Sequence, residues 1–265
     1  MAAWLVVLEA LHTEEDHGMR IGLFIPCFID AYAPEVGIAT LELLERFGHE
    51  VVYPRDQTCC GQPMGNSGYN AESAATEALF VRNFSGFDYI VAPSGSCVDH
   101  VRTKFDAIEQ TPEVLEVRSR TRELVEFLHD IQKVDAFPWA TFPHRVSWHS
   151  SCQTLRTLRH EKMSELSEPF FSKPLDLLTK VSGIELVESS RPDECCGFGG
   201  TFSVFEEFVS AKMGYDKVSD HAHAGAEYIV SADSSCLLHQ KSCAQRIGVP
   251  VKFIHIAQIL NGANS

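Results

Sequence analysis

Short apolar runs alternate with amphipathic stretches along this chain. Ile21-Gly22-Leu23-Phe24-Ile25 is an apolar run closed by Pro26, the pattern of a buried strand. Val36, Ala39, Leu43 and Phe47 then recur at helical spacing, and Gly48 stands where a helix-ending glycine belongs. The same reading predicts strands over 50–53 and 88–92 and helices over 73–84 and 97–107. Past the proline-flanked stretch Phe137–Pro143, which suits a linker, the order starts again. Strands are expected over 146–149, 184–188, 227–231 and 251–254. Helices are expected over 164–181, 202–223 and 236–247. Strands separated by helices imply an α/β fold with mostly parallel sheets and helices on both faces. The pattern divides the chain into two tandem, pseudo-symmetric units, 19–137 and 138–265. Residues 1–18 read as an N-terminal extension; a helix packed on the domain is the alternative. Trp4 to Ala10 is apolar, yet it lacks the preceding charge and following cleavage site of a secretory signal.

Composition narrows the class. The 265 residues are 45% hydrophobic and 22% charged, which excludes a disordered or fibrous chain. No apolar run reaches the roughly 18 residues that a spanning helix needs. The net charge of −14 comes with no basic patch, which argues against nucleic acid as a partner. Such an acidic surface can instead meet a basic partner protein.

The cysteines change the picture most. There are nine, an odd number, in a chain large enough to fold without bridges, so a secreted disulfide scaffold is a poor reading. Eight of them repeat one pattern: Cys27, Cys59-Cys60-Gly61, Cys97, and again Cys152, Cys195-Cys196-Gly197, Cys236. The intervals are 31 and 36 residues in the first unit and 42 and 39 in the second. Each single cysteine follows a strand, and ligands of open parallel sheets gather at the strands' C-terminal ends. Each unit should therefore bring four thiols to one rim. Cys243 has no counterpart and reads as a small buried hydrophobe.

Four converging thiols in a reducing compartment point to a metal or an iron–sulfur cluster. Zinc fits less well, because its structural sites usually use short C-x₂₋₄-C knuckles. Adjacent cysteines can aim at one site only if the chain turns sharply, which Gly61 and Gly197 permit. Gly199 and Gly200 extend that freedom and let backbone approach a cluster closely. Three other readings stay open: zinc, a vicinal dithiol redox pair, and buried structural thiols. Gly197, Gly199 and Gly200 do not spell a dinucleotide fingerprint, and the chain carries no P-loop or nucleophile elbow. His149, three residues before Cys152, is a ligand, a hydrogen-bonding partner or a plain rim histidine. His221 and His223, two apart, are expected at the surface. Asp99, His100 and Arg102 are expected to solvate the helix after Cys97.

The duplicated Cys…Cys-Cys-Gly…Cys pattern resembles the cysteine-rich CCG domain of heterodisulfide reductases and of related iron–sulfur oxidoreductases. Phe24-Ile25-Pro26-Cys27, Thr58-Cys59-Cys60-Gly61-Gln62-Pro63, Pro93-Ser94-Gly95-Ser96-Cys97 and Cys195-Cys196-Gly197-Phe198-Gly199-Gly200 resemble its short, stand-alone lactate utilization protein A group, over about residues 19–262. The resemblance implies two Rossmann-like units with one iron–sulfur cluster each. Cys27, Cys59, Cys60 and Cys97 would form the first site, and Cys152, Cys195, Cys196 and Cys236 the second. It further implies a cytoplasmic subunit of a multi-protein oxidoreductase that takes a small 2-hydroxy acid, L-lactate, to pyruvate. The implied partners are a ferredoxin-like iron–sulfur protein and a third lactate-utilization subunit. The alternatives are a heterodisulfide-reductase-like thiol enzyme and a redox- or metal-sensing interaction module. Ser94 and Asp233 stand where the fuller family motif has the first cysteine of a C-x-x-C pair. Four thiols per unit then favour an ordinary [4Fe–4S] cluster over a noncubane one, open to loss in air.

Overall fold

A computed structural model describes residues 18–263; the expected extension 1–18 lies outside them save Gly18. The first unit runs β1 (Arg20–Leu23), α1 (Cys27–Tyr32), α2 (Pro34–Arg46), β2 (Glu50–Val52), α3 (Gln62–Asn66), α4 (Ala74–Phe84), β3 (Tyr89–Ala92), α5 (Gly95–Lys104), α6 (Pro112–Arg120), β4 (Thr121–Glu123) and α7 (Leu124–Glu126), with a π-helical turn after it. The second runs β5 (Arg145–Trp148), α8 (Cys152–Arg156), α9 (Lys173–Thr179), β6 (Glu185–Leu186), α10 (Phe202–Phe205), α11 (Glu207–His223), β7 (Tyr228–Ser231), α12 (Ser234–Ile247), β8 (Lys252–His255) and α13 (Ile256–Leu260). Both sheets have four parallel strands, ordered β2-β1-β3-β4 and β6-β5-β7-β8. The helices lie around them, and the tandem α/β expectation holds.

The two units correspond position by position at their centres. Leu23 pairs with Val91 in one sheet and Trp148 with Val230 in the other. The next residues then donate alike: Phe24 N–H to the Val91 carbonyl at 2.9 Å, His149 N–H to the Val230 carbonyl at 2.7 Å. Apolar runs make these strands because both of their faces are covered. One face from each sheet feeds a shared core, with Ile21, Leu23 and Val91 in the same cluster as Val146, Trp148 and Val230. Phe137, Ala140 and Phe142 are buried in that core, and Trp139 Nε1 donates to the Leu260 carbonyl at 2.9 Å. The stretch suited to a linker is thus packed between the units.

Several expectations need correction. The helix expected over 164–181 is confined to α9, because Pro169 interrupts the pattern and Ser172 caps a new start at Leu175 N–H. The helix expected over 202–223 breaks at Glu206, where φ is −121° and ψ 49°. His221 is fully buried, since spacing by two turns it inward and His223 outward; Ser147 on β5 is small enough to admit it and lies 2.7 Å from its Nδ1. Asp99 and His100 are buried too, and Arg102 pairs with Glu126 at 2.9 Å.

Candidate metal centre

Every predicted thiol lies in the segment that follows the C-terminal end of a strand. Cys27 opens α1 after β1, and Cys152 opens α8 after β5. Cys97 and Cys236 lie in the first turns of α5 and α12, after β3 and β7. The pairs Cys59-Cys60 and Cys195-Cys196 occupy the loops after β2 and β6. Four thiols therefore begin helices, where the partial positive charge of the N-terminus favours the thiolate. All eight line one cavity of about 380 Å³ between the units. Pro26, Phe28, Pro63 and Phe198 supply its apolar walls, while Ser94, Ser96 and Asp233 are among its polar lining.

Within each set the sulfurs form a hydrogen-bonded chain. Cys27 Sγ lies 3.6 Å from Cys59 Sγ, and bonds continue from Cys59 to Cys60 and from Cys60 to Cys97. The second set repeats this from Cys152 through Cys195 and Cys196 to Cys236. The bonds polarise the thiols in the same way twice. Hydrogen bonds from Cys27 and Cys60 hold Cys59 far below the usual thiol range, and those from Cys152 and Cys196 do so for Cys195. The donors Cys27, Cys60, Cys152 and Cys196 are pushed up, by those bonds first and by burial after. For Cys236 a hydrogen bond with Cys196 pulls down, yet burial and nearby negative groups leave it raised. In each set the first cysteine of the pair is the one biased towards the thiolate, and a metal that binds would displace the remaining protons.

Gly61 and Gly197 make the double-cysteine turns possible. Their φ angles are 91° and 90°, a region that disfavours any side chain. Their N–H groups point back at the first cysteine of each pair, Gly61 N–H at Cys59 Sγ (3.5 Å) and Gly197 N–H at Cys195 Sγ (3.4 Å). A Cβ on Gly197 would fall 2.7 Å from the Ser210 carbonyl oxygen, so α11 packs directly on this turn. Gly199 and Gly200 line the cavity itself. Cys243 stays out of the site, buried in a small cluster with Val218 and Ala244.

The histidines divide. His149 is buried, its Nδ1 has no hydrogen-bond partner, and its ring lines the cavity. Burial, with Lys217 nearby, holds it well below the usual imidazole range and so neutral. His100 follows Cys97 by one helical turn and His239 follows Cys236 by one. Sequence reasoning misses His239, although Cys-x-x-His occurs in both units and is the signal that points to it. Its Nε2 lies 3.3 Å from the Ser210 carbonyl and 3.8 Å from Cys243 Sγ. Ser94 and Asp233 meet across the units: Asp233 accepts from Ser96 N–H at 2.9 Å and from Ser94 Oγ at 3.3 Å. The donor set, soft sulfurs with backbone N–H groups aimed at them, fits a thiophilic centre such as iron–sulfur.

The chain is similar to known proteins. The CCG cysteine-rich domain matches residues 21–102 and again 146–241. Lactate utilization protein A of Geobacillus kaustophilus (strain HTA426) is 39% identical over 250 residues, 93% of this chain and 100% of that one. The protein of the same name from Halalkalibacterium halodurans is 37% identical over 247 residues, 92% of this chain and 97% of that one. Among solved structures, a hypothetical protein from Helicobacter pylori matches with a TM-score of 0.53 at 12% identity. That match covers 91% of this chain and 48% of the other, so this chain spans about half its length, and the likeness concerns the fold alone.

Proposed function

The chain belongs to the cysteine-rich CCG family, in its lactate utilization protein A group, and from that premise we propose that it is the iron–sulfur subunit of a multi-protein system that oxidises L-lactate to pyruvate. The observation that carries this reading is the duplicated set of four thiols, both sets lining one cavity. Cys27, Cys59, Cys60 and Cys97 would hold one iron–sulfur cluster and Cys152, Cys195, Cys196 and Cys236 the other. Such a cluster supplies one-electron transfer.

This chain's own residues set the conditions for it. Cys60, Cys97, Cys196 and Cys236 are buried and present sulfur out of bulk water. Gly61 and Gly197 donate N–H groups to Cys59 and Cys195, and such bonds shift a centre's potential. Pro26, Phe28, Pro63 and Phe198 keep the cavity walls apolar. Lactate must lose two electrons and two protons to become pyruvate. With two one-electron centres, the chain is suited to pass those electrons on rather than to work alone. A ferredoxin-like iron–sulfur protein and a third lactate-utilization subunit are the proposed companions, and the cytoplasm the proposed compartment. Among the described residues no helix is long and apolar enough to cross a membrane. The repeats are proposed to divide near residue 137, each carrying one centre.

The test is reduction. Protein purified without oxygen is mixed with L-lactate, alone and with both companions, and its visible absorbance and EPR spectrum are followed. Bleaching only in the complete mixture is expected. No lactate-dependent reduction in any mixture, with clusters present, would overturn the reading.

A further inference from the structure

The two thiol sets occupy equivalent places, yet one position beside them differs. Phe24 in the first unit and His149 in the second both follow the central strand and make the same backbone bond to the neighbouring strand. Each stands three residues before the first cysteine of its set. Phe24 packs on Phe80 and Phe84, with ring centroids 5.0 and 5.7 Å away. His149 is only 1% exposed. Its Nδ1 is buried without a partner, and one ring nitrogen lies within 4.8 Å of both Cys196 Sγ and Cys236 Sγ. The neighbouring ring, His221, bonds Ser147 through Nδ1 and leaves Nε2 unpartnered, but it neither lines the cavity nor joins such a group of donors. A buried ring nitrogen without a partner carries a desolvation cost that a bound partner would relieve. Imidazole and thiolate together are a common donor set for iron and zinc. His100 also has an unpartnered ring nitrogen, but it does not line the cavity and joins no such group of donors.

We propose that His149 is a ligand of the metal centre at the second thiol set, a nitrogen donor beside Cys196 and Cys236, while the first centre is held by thiolates alone. This rests on the reading that the thiol sets hold metal. Its consequence is asymmetry. A nitrogen donor is then present at one centre only, and exchanging that neutral imidazole for a thiolate would add one negative charge, which lowers a centre's reduction potential.

The test uses anaerobically loaded, full-length protein labelled with 15N-histidine. Pulsed EPR of the reduced wild type should show strong coupling to a histidine nitrogen at one of its two centres. His149→Ala should lose that coupling. His149→Cys should also lose it, keep its iron, and move the midpoint of one centre downward. His149→Phe, which copies the first unit, serves if the alanine variant fails to fold. No histidine coupling in the wild type, or the same coupling in H149A, overturns the assignment. Should the thiols take up no iron, the electron-relay reading fails while this one is still decided by Co2+ alone. The wild type should bind Co2+ with thiolate charge-transfer bands, and H149A about tenfold or more weakly. Equal Co2+ affinity in both would refute the ligand.

Discussion

Replacing Asp233 by alanine should loosen both thiol sets through a helix in the other unit. Asp233 precedes α12, yet its carboxylate caps α5: it accepts from Ser96 N–H at 2.9 Å, Ser96 Oγ at 3.1 Å and Ser94 Oγ at 3.3 Å. It also accepts from Ser235 Oγ at 3.2 Å, and Ser94 makes no capping bond of its own. Asp233→Ala removes the cap, worth about 1 kcal/mol, and leaves buried donors without an acceptor, at about 1–3 kcal/mol more. A total of about 3 kcal/mol in a chain of this size lowers the melting temperature by roughly 6–12 °C. Asp233→Asn keeps an oxygen for Ser96 N–H and has no charge to desolvate. Burial already pushes the Asp233 carboxyl upward, so the amide should cost less than half as much. The assay is thermal unfolding of the metal-free, reduced protein at neutral pH. A fall below about 2 °C for D233A would refute a capping bond between the units.

Other perturbations probe separate parts of the molecule. Burial holds His160 at about 3, so the unfolded chain takes up its proton near 6.5 while the folded one does not. Its contribution is full above pH 6.5 and shrinks as the pH falls towards 3; the stability gap between wild type and His160→Gln should narrow by about 2–3 kcal/mol from pH 7.5 to 4.5 in urea titrations, and a constant gap would refute this. Gly197→Ala forces a Cβ to 2.7 Å from the Ser210 oxygen at φ 90°, whereas Gly61→Ala meets nothing nearer than 3.5 Å. G197A should therefore lose about 3 kcal/mol or more and G61A about 1 kcal/mol by chemical denaturation, and equal losses would contradict the packing. Cys60→Ser and Cys196→Ser should each lose about half of the bound iron and Cys243→Ser none, by metal analysis; iron loss in C243S would place it in a site from which the structure separates it.

Three central strands were legible because both of their faces are buried, so β1, β3 and β7 read as apolar runs, while β5 shows only Val146 and Trp148 about Ser147. β4 was not: its three residues follow α6 directly and two of them, Arg122 and Glu123, are charged. The burial of His221 was hidden because it depends on Ser147, 74 residues away on another element. Repetition made the thiol sets legible, since chance seldom spells such a pattern twice. What sequence spacing did not disclose is that both sets open on one cavity. That follows from how the shared core sets one sheet against the other, and from the cap that Asp233 supplies across 137 residues.

The central claim is that each thiol set holds an iron–sulfur cluster. Iron and acid-labile sulfide, measured with an EPR spectrum on protein purified without oxygen, test it most directly. About eight irons and matching sulfide per chain are expected. Zinc or free thiols in place of iron, in protein that is folded and has never met air, would contradict it.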